Sequence, residues 1–288
     1  MKLKNENNPF QSNFTINLKG ELMDLSTPKV MGILNLTPDS FYDGGQHQGK
    51  DAYLFQVERM LSEGVDIIDI GAASTKPNAN AVEENEERQR LIPALKKIIF
   101  RFPEAKISID TYRSLIAAEA LDEGAVMIND ITAGQFDDNM FSTIAERNCP
   151  YVLMHMQGEP KNMQENPRYK DVVKEVFSFF TEKIEALHIL GVKDILLDMG
   201  FGFGKNLDHN YQLLNELDHF AHLRYPILVG LSRKSMIQKV LNTSAYSSIN
   251  GTTAAHSVAL MKGAKILRVH DVLEAKQAID IVGMCQKQ

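Results

Sequence analysis

The sequence is densest in chemically useful side chains at residues 33–45, where it reads ILNLTPDSFYDGG. An apolar run ends at Asn35, and the residues after it include the carboxylates Asp39 and Asp43 and the ring of Phe41. Pro, Asp and paired Gly are ordinary turn residues, but a turn does not require this many carboxylates, hydroxyls and aromatic rings. Amide and carboxylate oxygens are ligands that Mg²⁺ prefers, together with waters and substrate phosphates. The stretch therefore predicts a loop that contributes to a site.

Polar residues also end most of the other apolar runs. They are Asp69, Asp110, Asn129, Asp198, Ser232, Lys234, Arg268 and His270. If Asp110, Asn129 and Asp198 are buried together, they need a ligand that brings hydrogen-bond donors to meet them, and a heterocycle with a guanidine-like edge does so. Arg268 and His270 supply cationic donors that suit a phosphate group. These residue types predict a site for a heterocycle that carries phosphate.

Simpler interpretations apply to some of the polar residues when each is taken alone. Asp130 and Asp271 are expected to cap a helix or fix a turn. Lys234 lies near a helix start, where a lysine is usually just solvated. His155 is equally compatible with a hydrogen-bonded barrel histidine and with a catalytic one.

The glycine-rich run MGFGFGKN, residues 199–206, matches no nucleotide signature. Met199 stands where a P-loop needs its first Gly, and Asn206 stands where it needs Ser or Thr. The glycines also miss the G-x-G-x-x-G spacing of dinucleotide-binding loops. The run instead predicts a flexible loop that presents Phe203 to a ligand.

Short apolar runs in the sequence are typical of parallel strands that are buried on both faces. The predicted strands are residues 29–36, 66–73, 106–110, 126–131, 151–156, 194–200, 226–232 and 265–271. Helix-patterned segments lie between them, for example residues 51–62, 83–100, 113–123, 169–190 and 252–262. Several of the helical segments run into a glycine, where a helix C-terminus needs a left-handed residue. These glycines are Gly64, Gly124, Gly191 and Gly263.

The repeated strand–helix unit predicts the α/β fold class and, within it, a (β/α)₈ TIM barrel. The alternative is an open, doubly wound sheet, because periodicity does not show whether a sheet closes. Polar residues at nearly all strand ends, rather than at one switch point, favour the barrel. We expect one domain over residues 1–288, in which residues 1–28 form a tail and a β-hairpin that turns at Lys19 and Gly20 and covers the far end of the barrel.

Composition places the chain among soluble globular proteins, with 288 residues, 44% of them hydrophobic, and a formal net charge of −6 at pH 7. This charge argues against a nucleic-acid or anionic-membrane binder. Two cysteines, a polar N-terminus and no apolar run of membrane-spanning length predict a cytoplasmic protein. Apolar helix faces near the C-terminus allow pairing through outer helices, and we expect a homodimer.

The motifs at the strand ends closely resemble those of the dihydropteroate synthases, folate-biosynthesis enzymes of the pterin-binding family. The segment MGILNLTPDSFYDGG, residues 31–45, is similar to the first family signature almost throughout. The blocks GAASTKP, SID, IND, MHMQGEP, DMGFGFGK, GLSRK and RVHD follow in the family order. A single block such as SID is unspecific, but all of them in order along essentially the whole chain are highly specific.

The resemblance implies a transferase that joins 6-hydroxymethyl-7,8-dihydropterin diphosphate to p-aminobenzoate, with Mg²⁺ as cofactor and sulfonamides as mimics of the amine. It implies that the pterin is held by Asp110, Asn129, Asp198 and Lys234. The diphosphate and Mg²⁺ are implied to lie at Arg268, His270 and Asn35, with Asp43 as a second metal ligand. Thr75 and Lys76 are placed near the reacting atoms, and Phe41, Phe203 and Ser232 are placed around the p-aminobenzoate. The catalytic residues are expected to be Asp39, Asp110, Asp198 and Lys234.

Four positions depart from the family pattern. Lys76 stands in place of Arg, Asn78 in place of Gly, Tyr42 in place of Ser, and Met199 in place of Pro. A lysine keeps the charge of an arginine but loses its planar fork, so the contacts of Lys76 are expected to differ from the family pattern. None of the four positions is an implied pterin or diphosphate ligand.

Three other functions are compatible with parts of this pattern. A catalytically inactive pterin-binding protein would share the pocket, but the intact Asn35, Asp39 and Lys234 argue against it. A folate-dependent corrinoid methyltransferase would also share the barrel and the pterin pocket, but it has no need of Arg268 and His270 for a diphosphate. A Schiff-base aldolase at Lys234 would need a lowered lysine pKa, which neighbouring carboxylates oppose.

Overall fold

The computed structural model describes residues 14–36, 52–73 and 82–286. Its strands are β1 (Thr15–Leu18), β2 (Glu21–Asp24), β3 (Lys29–Asn35), β4 (Ile67–Gly71), β5 (Ile107–Asp110), β6 (Met127–Asp130), β7 (Tyr151–Met154), β8 (Ile195–Asp198), β9 (Ile227–Val229) and β10 (Ala264–Val269). Its helices are α1 (Ala52–Ser62), α2 (Glu84–Arg101), α3 (Ser114–Asp122), α4 (Met140–Arg147), α5 (Val172–Ile189), α6 (Leu207–Asn215), α7 (Ser235–Leu241), α8 (Ile249–Met261) and α9 (Val272–Gln286), with 3₁₀ segments at Leu217–Leu223 and Tyr246–Ser248. Within these ranges no helix is both long enough and apolar enough to cross a bilayer.

Strands β3 to β10 form a closed parallel barrel in which chain neighbours are also spatial neighbours. The circle closes where β10 pairs with β3, and Arg268 lies opposite Met31 in this pair. Helices lie between the strands, as in a TIM barrel. The predicted barrel is therefore confirmed, and closure excludes the open doubly wound sheet.

Local signals in the sequence account for the helix ends. The four glycines predicted to end helices, Gly64, Gly124, Gly191 and Gly263, all have positive φ, from +84° to +118°. Helix α5 begins later than predicted, because the Asp171 side chain accepts a hydrogen bond from the Lys174 backbone N–H at 3.2 Å and so caps the helix there.

The predicted hairpin is formed by β1 and β2, which pair antiparallel and turn at Lys19 and Gly20. Its buried residues pack together with side chains from the barrel interior. This shared cluster consists of Ile16, Leu18, Met23, Leu25, Met31, Ile67, Met127, Val152, Leu196, Leu228 and Ile266. Burial of this apolar surface closes the N-terminal end of the barrel, as predicted.

The barrel interior changes from apolar to polar toward the carboxyl ends of the strands. Asp69 is the register partner of Ser108. One inward-facing layer higher, Asp110 is the register partner of Asn129. The carboxyl end of a TIM barrel is where active sites are found, so these layers mark the site.

Candidate active site

Arg268 joins two carboxylates at the centre of the barrel. Its Nε donates a hydrogen bond to Asp69 Oδ2 at 2.7 Å, and its Nη2 donates to Asp110 Oδ2 at 2.6 Å. Burial opposes the charge of Arg268, but Asp69 and Asp110 raise its pKa above the ordinary value. The guanidinium is therefore held in its charged form beside two carboxylates from other strands.

Asn129 belongs to the same cluster through a hydrogen bond to Asp69, which lies one layer below it. Its Nδ2 donates a hydrogen bond to Asp69 Oδ2 at 2.8 Å, and both residues are buried. Asp69 Oδ2 thus accepts from both Asn129 and Arg268. Strands β4, β5, β6 and β10 contribute one polar side chain each to this network. The strand-end pattern predicts that Asp110 and Asn129 lie together, but it assigns Arg268 to a phosphate and gives Asp69 no partner.

Burial raises the pKa of the carboxyls that end β5 and β8. The pKa of Asp110 rises to about 7, because removal from water disfavours its charged form more than Arg268 stabilises it. Burial also raises the pKa of Asp198, with Lys234 acting in the opposite direction. The Gly200 backbone N–H donates to Asp198 Oδ1 at 2.8 Å and fixes this carboxyl in place. A ligand that brings donors to both carboxyls would favour their charged forms.

Lys234 reaches the pocket from the loop after β9. Its Nζ donates to the backbone carbonyl of Phe201 and lies 4.5 Å from the centre of the Phe203 ring. Burial lowers the pKa of Lys234 to about 8, while Asp198 acts to raise it. Lys234 is therefore enclosed beside Asp198 and is not the solvated lysine of the simpler interpretation.

The glycine-rich run forms a tightly packed loop, not the flexible one predicted. A Cβ built at Gly200, where φ is +63°, would lie 1.9 Å from the carbonyl oxygen of His155. A Cβ at Gly204, where φ is +62°, would lie 2.2 Å from the carbonyl oxygen of Gln157. Both positions need the left-handed backbone and the absent side chain of glycine. Phe203 of this loop packs on an apolar cluster formed by Ile131, Met154, Met156 and Met163.

Lys205 ends this run and is buried inside it, with 2% of its surface exposed. Its Nζ lies within 3.2 Å of the carbonyl oxygens of His155, Gly200 and Phe203, and 2.9 Å from His155 Nδ1. Burial lowers the pKa of Lys205, and burial together with the charge of Lys205 lowers the pKa of His155. A neutral His155 that accepts from Lys205 matches the hydrogen-bonded interpretation of this histidine and not a catalytic one.

The ends of β9 and β10 are linked by side chains. Ser232 Oγ lies 3.0 Å from His270 Nδ1 and accepts from the His270 backbone N–H at 3.2 Å. Arg233 has a left-handed φ of +57°, and its guanidinium pairs with Asp271 through two hydrogen bonds of 3.0 and 2.5 Å. Asp271 therefore fixes the turn between Ser232 and Lys234, which agrees with its predicted structural role.

Asp130 is structural as well, as predicted. Its Oδ1 accepts from the backbone N–H and the hydroxyl of Thr132, and its Oδ2 accepts from the Gly134 N–H and the Tyr151 hydroxyl, all at 2.7 to 2.8 Å. Both oxygens are used within the protein, so this carboxylate has no role left in binding a ligand. Met199, one of the departures from the family pattern, is fully buried in the apolar core.

Asn35 ends β3 opposite Gly71 of β4. Five residues implied for the metal, amine and reacting-atom sites lie outside the described residues, namely Asp39, Phe41, Asp43, Thr75 and Lys76, as do Tyr42 and Asn78. In the ranges that the structure describes, no group of three or more His, Cys, Asp or Glu side chains is arranged to hold a metal ion.

Two buried charged residues close to the candidate site, Asp69 and Lys205, are not among the predicted site residues. The strand-end pattern contains Asp69 but assigns it no role, although its parity with Ile67 and Gly71 places all three on the same face of β4. Lys205 follows a glycine-rich run and precedes a helix, a position where a lysine is usually solvated. Its burial depends on backbone carbonyls from two separate loops, which the sequence does not reveal.

The shifted pKa values of Asp110 and Lys234 predict a narrow pH range for binding a ligand that carries hydrogen-bond donors and a negative charge. Asp110 has a raised pKa of about 7, so it is neutral below that pH and charged above it. Lys234 has a lowered pKa of about 8, so it loses its charge above that pH. If both charged forms are needed, kcat/KM for the substrate in this pocket rises through about pH 7 and falls above about pH 8.

This profile is checked by measuring kcat/KM from about pH 5.5 to 9.5 for the wild type and for Lys234→Arg. The alkaline limb should disappear in the variant, because a guanidinium stays protonated throughout this range. An alkaline limb that is identical in both proteins would assign the limb to another group.

Comparison with known proteins agrees with the motifs. Residues 31–270 match the family model described as pterin binding enzyme. A dihydropteroate synthase from Haemophilus influenzae is 46% identical over 261 residues, which cover 90% of this chain and 94% of the relative. The Yersinia pestis dihydropteroate synthase, solved in complex with a sulfonamide drug, superimposes with a TM-score of 0.90 at 44% identity, covering 96% of this chain and 100% of the other.

The Xanthomonas albilineans dihydropteroate synthase, solved with 4-aminobenzoic acid, gives a TM-score of 0.89 at 37% identity, again with 96% of this chain and 100% of the other covered. The family model spans most of the barrel, and each of these relatives is covered almost completely. The described polar cluster lies at the strand ends where the family motifs occur. The chain belongs to the family of pterin-binding enzymes.

Proposed function

We propose that the chain is a dihydropteroate synthase of folate biosynthesis. It condenses 6-hydroxymethyl-7,8-dihydropterin diphosphate with p-aminobenzoate and yields 7,8-dihydropteroate and pyrophosphate. The observation that carries this proposal is the buried network in which Arg268 joins Asp69, Asp110 and Asn129 at the open end of the barrel. A pterin brings N–H donors to acceptors of this kind, and its diphosphate brings negative charge to Arg268.

The pterin subsite is formed by Asp110, Asn129, Asp198 and Lys234. Asp110 and Asp198 have raised pKa values because they are buried, so donors on the pyrimidine edge of a pterin favour their charged forms. Lys234 adds a cationic donor at the side of the pocket that Asp198 occupies. This arrangement selects a heterocycle with N–H groups on one edge and a carbonyl or ring nitrogen on another.

The diphosphate subsite is formed by Arg268 and His270, with Asn35 across the closing strand pair. We propose that Mg²⁺ binds here through the amide oxygen of Asn35 and through Asp43, which lies outside the described residues. An amide oxygen at a strand end is a donor type that suits Mg²⁺, together with carboxylate and phosphate oxygens. When bound, the ion neutralises charge on the diphosphate.

In the chemical step, the bond between the pterin methylene carbon and the diphosphate oxygen breaks, and both electrons leave with pyrophosphate. The nitrogen of p-aminobenzoate donates its lone pair to that carbon and releases one proton to water. Positive charge develops on the pterin, and Asp110 and Asp198 are placed to stabilise it. Arg268 and His270 stabilise the negative charge on the leaving group. Asp39, outside the described residues, is proposed as a further catalytic group.

The amine subsite is proposed at Phe203 and Ser232. Phe203 packs on the methionine-rich cluster and lies under Lys234, and Ser232 is fixed by His270. Phe41, Thr75 and Lys76 are proposed to complete this subsite from outside the described residues. Relatives solved with 4-aminobenzoic acid and with a sulfonamide drug support an amine subsite in this family.

The test is to incubate the purified chain with Mg²⁺, the pterin diphosphate and p-aminobenzoate, and to measure pyrophosphate release and dihydropteroate together. We expect both products in equal amounts, and a sulfonamide should compete with p-aminobenzoate and not with the pterin. Pterin binding without any product would support the inactive binding protein. Methyl transfer from a folate would support the corrinoid-dependent alternative.

Replacement of Phe203 by alanine is expected to raise KM for p-aminobenzoate by about tenfold, because it removes an aromatic face from the amine subsite. The affinity for the pterin diphosphate should change much less. Steady-state kinetics with each substrate varied separately measure both effects. As a control, Phe100→Ala removes an exposed ring on α2 and should change neither constant. Equal losses for both substrates would place Phe203 in the pterin subsite instead.

We also propose that two copies pair through α8 and α9. These helices pack against each other and expose apolar side chains, namely Val258, Met261, Leu273 and Ile281. Burial of such a surface between two copies is a common basis of symmetric dimers. The double variant Met261→Glu with Ile281→Glu should sediment as a monomer while the wild type sediments as a dimer. Phe100→Glu, on α2, should remain dimeric, and a monomeric wild type would refute the pairing.

A further inference from the structure

The floor of the proposed pterin pocket contains a carboxylate with no assigned role. Asp69 is fully buried and is the register partner of Ser108, one inward-facing layer below Asn129. Two donors, Asn129 Nδ2 and Arg268 Nε, converge on its single oxygen Oδ2. Among the described residues Oδ1 has no hydrogen-bond partner, and neither does the neighbouring Ser108 Oγ.

We propose that Asp69 is a positioning residue that sets the orientation of two ligand-contacting side chains, the Asn129 amide and the Arg268 guanidinium. The proposal rests on the proposed function, because it assigns these two groups to the pterin and the diphosphate. Asp69 itself is too deeply buried to touch a ligand. It acts only through the groups that it holds.

For Asn129, the Asp69 carboxylate determines which end of the side-chain amide faces the open end of the barrel. A charged carboxylate only accepts hydrogen bonds, so it binds the Nδ2 end and repels the Oδ1 end. The Oδ1 oxygen is then left as an acceptor on the side away from Asp69, toward the open end of the barrel. Asn129, Asp110 and Asp198 thereby present acceptors to one ligand, and this set selects donors on the heterocycle.

For Arg268, the hydrogen bond to Asp69 fixes the rotation of the guanidinium plane. Arg268 Nε donates to Asp69 Oδ2 at 2.7 Å, and Nη2 donates to Asp110 Oδ2 at 2.6 Å. The terminal nitrogens of the guanidinium therefore face Asp110 and the open end of the barrel. A guanidinium without this anchor is free to turn and place two nitrogens on Asp110, in the bidentate geometry that arginine and carboxylate favour. Such a pair would cover the carboxylate that the pterin needs.

The geometry offers a substitution that separates charge from position. Because both donors use one oxygen, the carbonyl of Asp69→Asn is able to accept both, and its amide NH₂ then takes the place of Oδ1 beside Ser108. Asp69→Ala removes both the charge and the acceptor. Asp69→Glu keeps the charge but displaces the carboxylate by one methylene.

The experiment measures the dissociation constants of 6-hydroxymethyl-7,8-dihydropterin, with and without its diphosphate, by calorimetry. Asp69→Ala and Asp69→Glu are expected to weaken both ligands by about 10- to 100-fold, and Asp69→Asn by less than about fivefold. Ser108→Ala is the matched control on the neighbouring strand and should bind as the wild type does. In an Asn129→Ala background, Asp69→Ala should weaken binding of the pterin that lacks the diphosphate clearly less than it does in the wild-type background.

Melting temperatures and circular dichroism show whether each variant is folded. If Asp69→Ala does not fold, Asp69→Glu against Asp69→Asn decides the question alone. The proposal would be overturned if Asp69→Asn lost as much pterin affinity as Asp69→Ala, or if Asp69→Glu kept full affinity. Either result would mean that the charge of Asp69 matters and the position of its oxygen does not. Additive losses with Asn129→Ala would also overturn the proposal. A wild type that binds no pterin would instead refute the proposed function.

Discussion

Replacing Asp198 with alanine is expected to weaken pterin binding by at least about 100-fold and to abolish product formation. The side chain is only 5% exposed and is held by the Gly200 N–H. Its negative charge raises the pKa of Lys234, so its loss removes a charge that stabilises this partly buried ammonium and leaves the donors of the pterin without their acceptor. Calorimetric titration of the pterin diphosphate and initial-rate kinetics measure the two effects.

Two further variants identify the cause of this loss. Asp198→Asn keeps the size and one acceptor but removes the charge, so we expect partial recovery of binding and little recovery of kcat, because the charge is needed for the developing cation. Asp208→Ala removes an exposed carboxylate near the same loop and should behave as the wild type does. Unchanged pterin affinity in Asp198→Ala would remove Asp198 from the pocket.

Arg268→Met is expected to lower kcat/KM for the pterin diphosphate by about 1,000-fold, since the variant loses the main cation of the diphosphate subsite. It should also destabilise the fold by about 2 kcal/mol, less than a fully buried pair would, because the Arg268 side chain is 20% exposed. Chemical denaturation and steady-state kinetics measure these quantities. Arg268→Lys should recover part of the stability but not the fork that reaches both carboxylates.

The loss of stability in Arg268→Met should depend on pH in a defined direction. Arg268 lowers the pKa of Asp110, which burial has already raised to about 7, so the variant raises it further above the unfolded value. A carboxyl with a raised folded pKa binds its proton more tightly when folded, and the fold gains stability as the pH falls. The variant should therefore be closest to the wild type below about pH 6 and furthest from it above about pH 8. A difference that is independent of pH would contradict this coupling.

Much of the barrel was predictable because its rules are local. Buried parallel strands are continuously apolar, and polar residues at their carboxyl ends mark the mouth, so Asp110, Asn129 and Asp198 were identified from position alone. The closure of the sheet is predicted from the eight repeated strand–helix units and from the distribution of these ends, and the pairing of β10 with β3 establishes it.

The parts that were not predictable depend on which groups meet in space. The sequence predicts that Arg268 faces a phosphate, and in the structure its guanidinium binds two carboxylates from β4 and β5. It reaches them across β3, which lies between β10 and β4 in the closed barrel. The glycine-rich run was expected to be flexible, but Lys205 gathers its carbonyl groups and fixes it. Neither partnership leaves a spacing or a periodicity in the sequence.

The hairpin that packs beneath the barrel has a consequence for the order in which ligands bind and leave. Because Ile16, Leu18 and their neighbours fill the lower end of the barrel interior, we expect ligands to reach the polar layers from the carboxyl ends of the strands. Whatever occupies the deeper position has to arrive before its neighbour and depart after it. We therefore expect compulsory ordering, in which the bicyclic ring enters first and a sulfonamide binds well only to the preloaded protein.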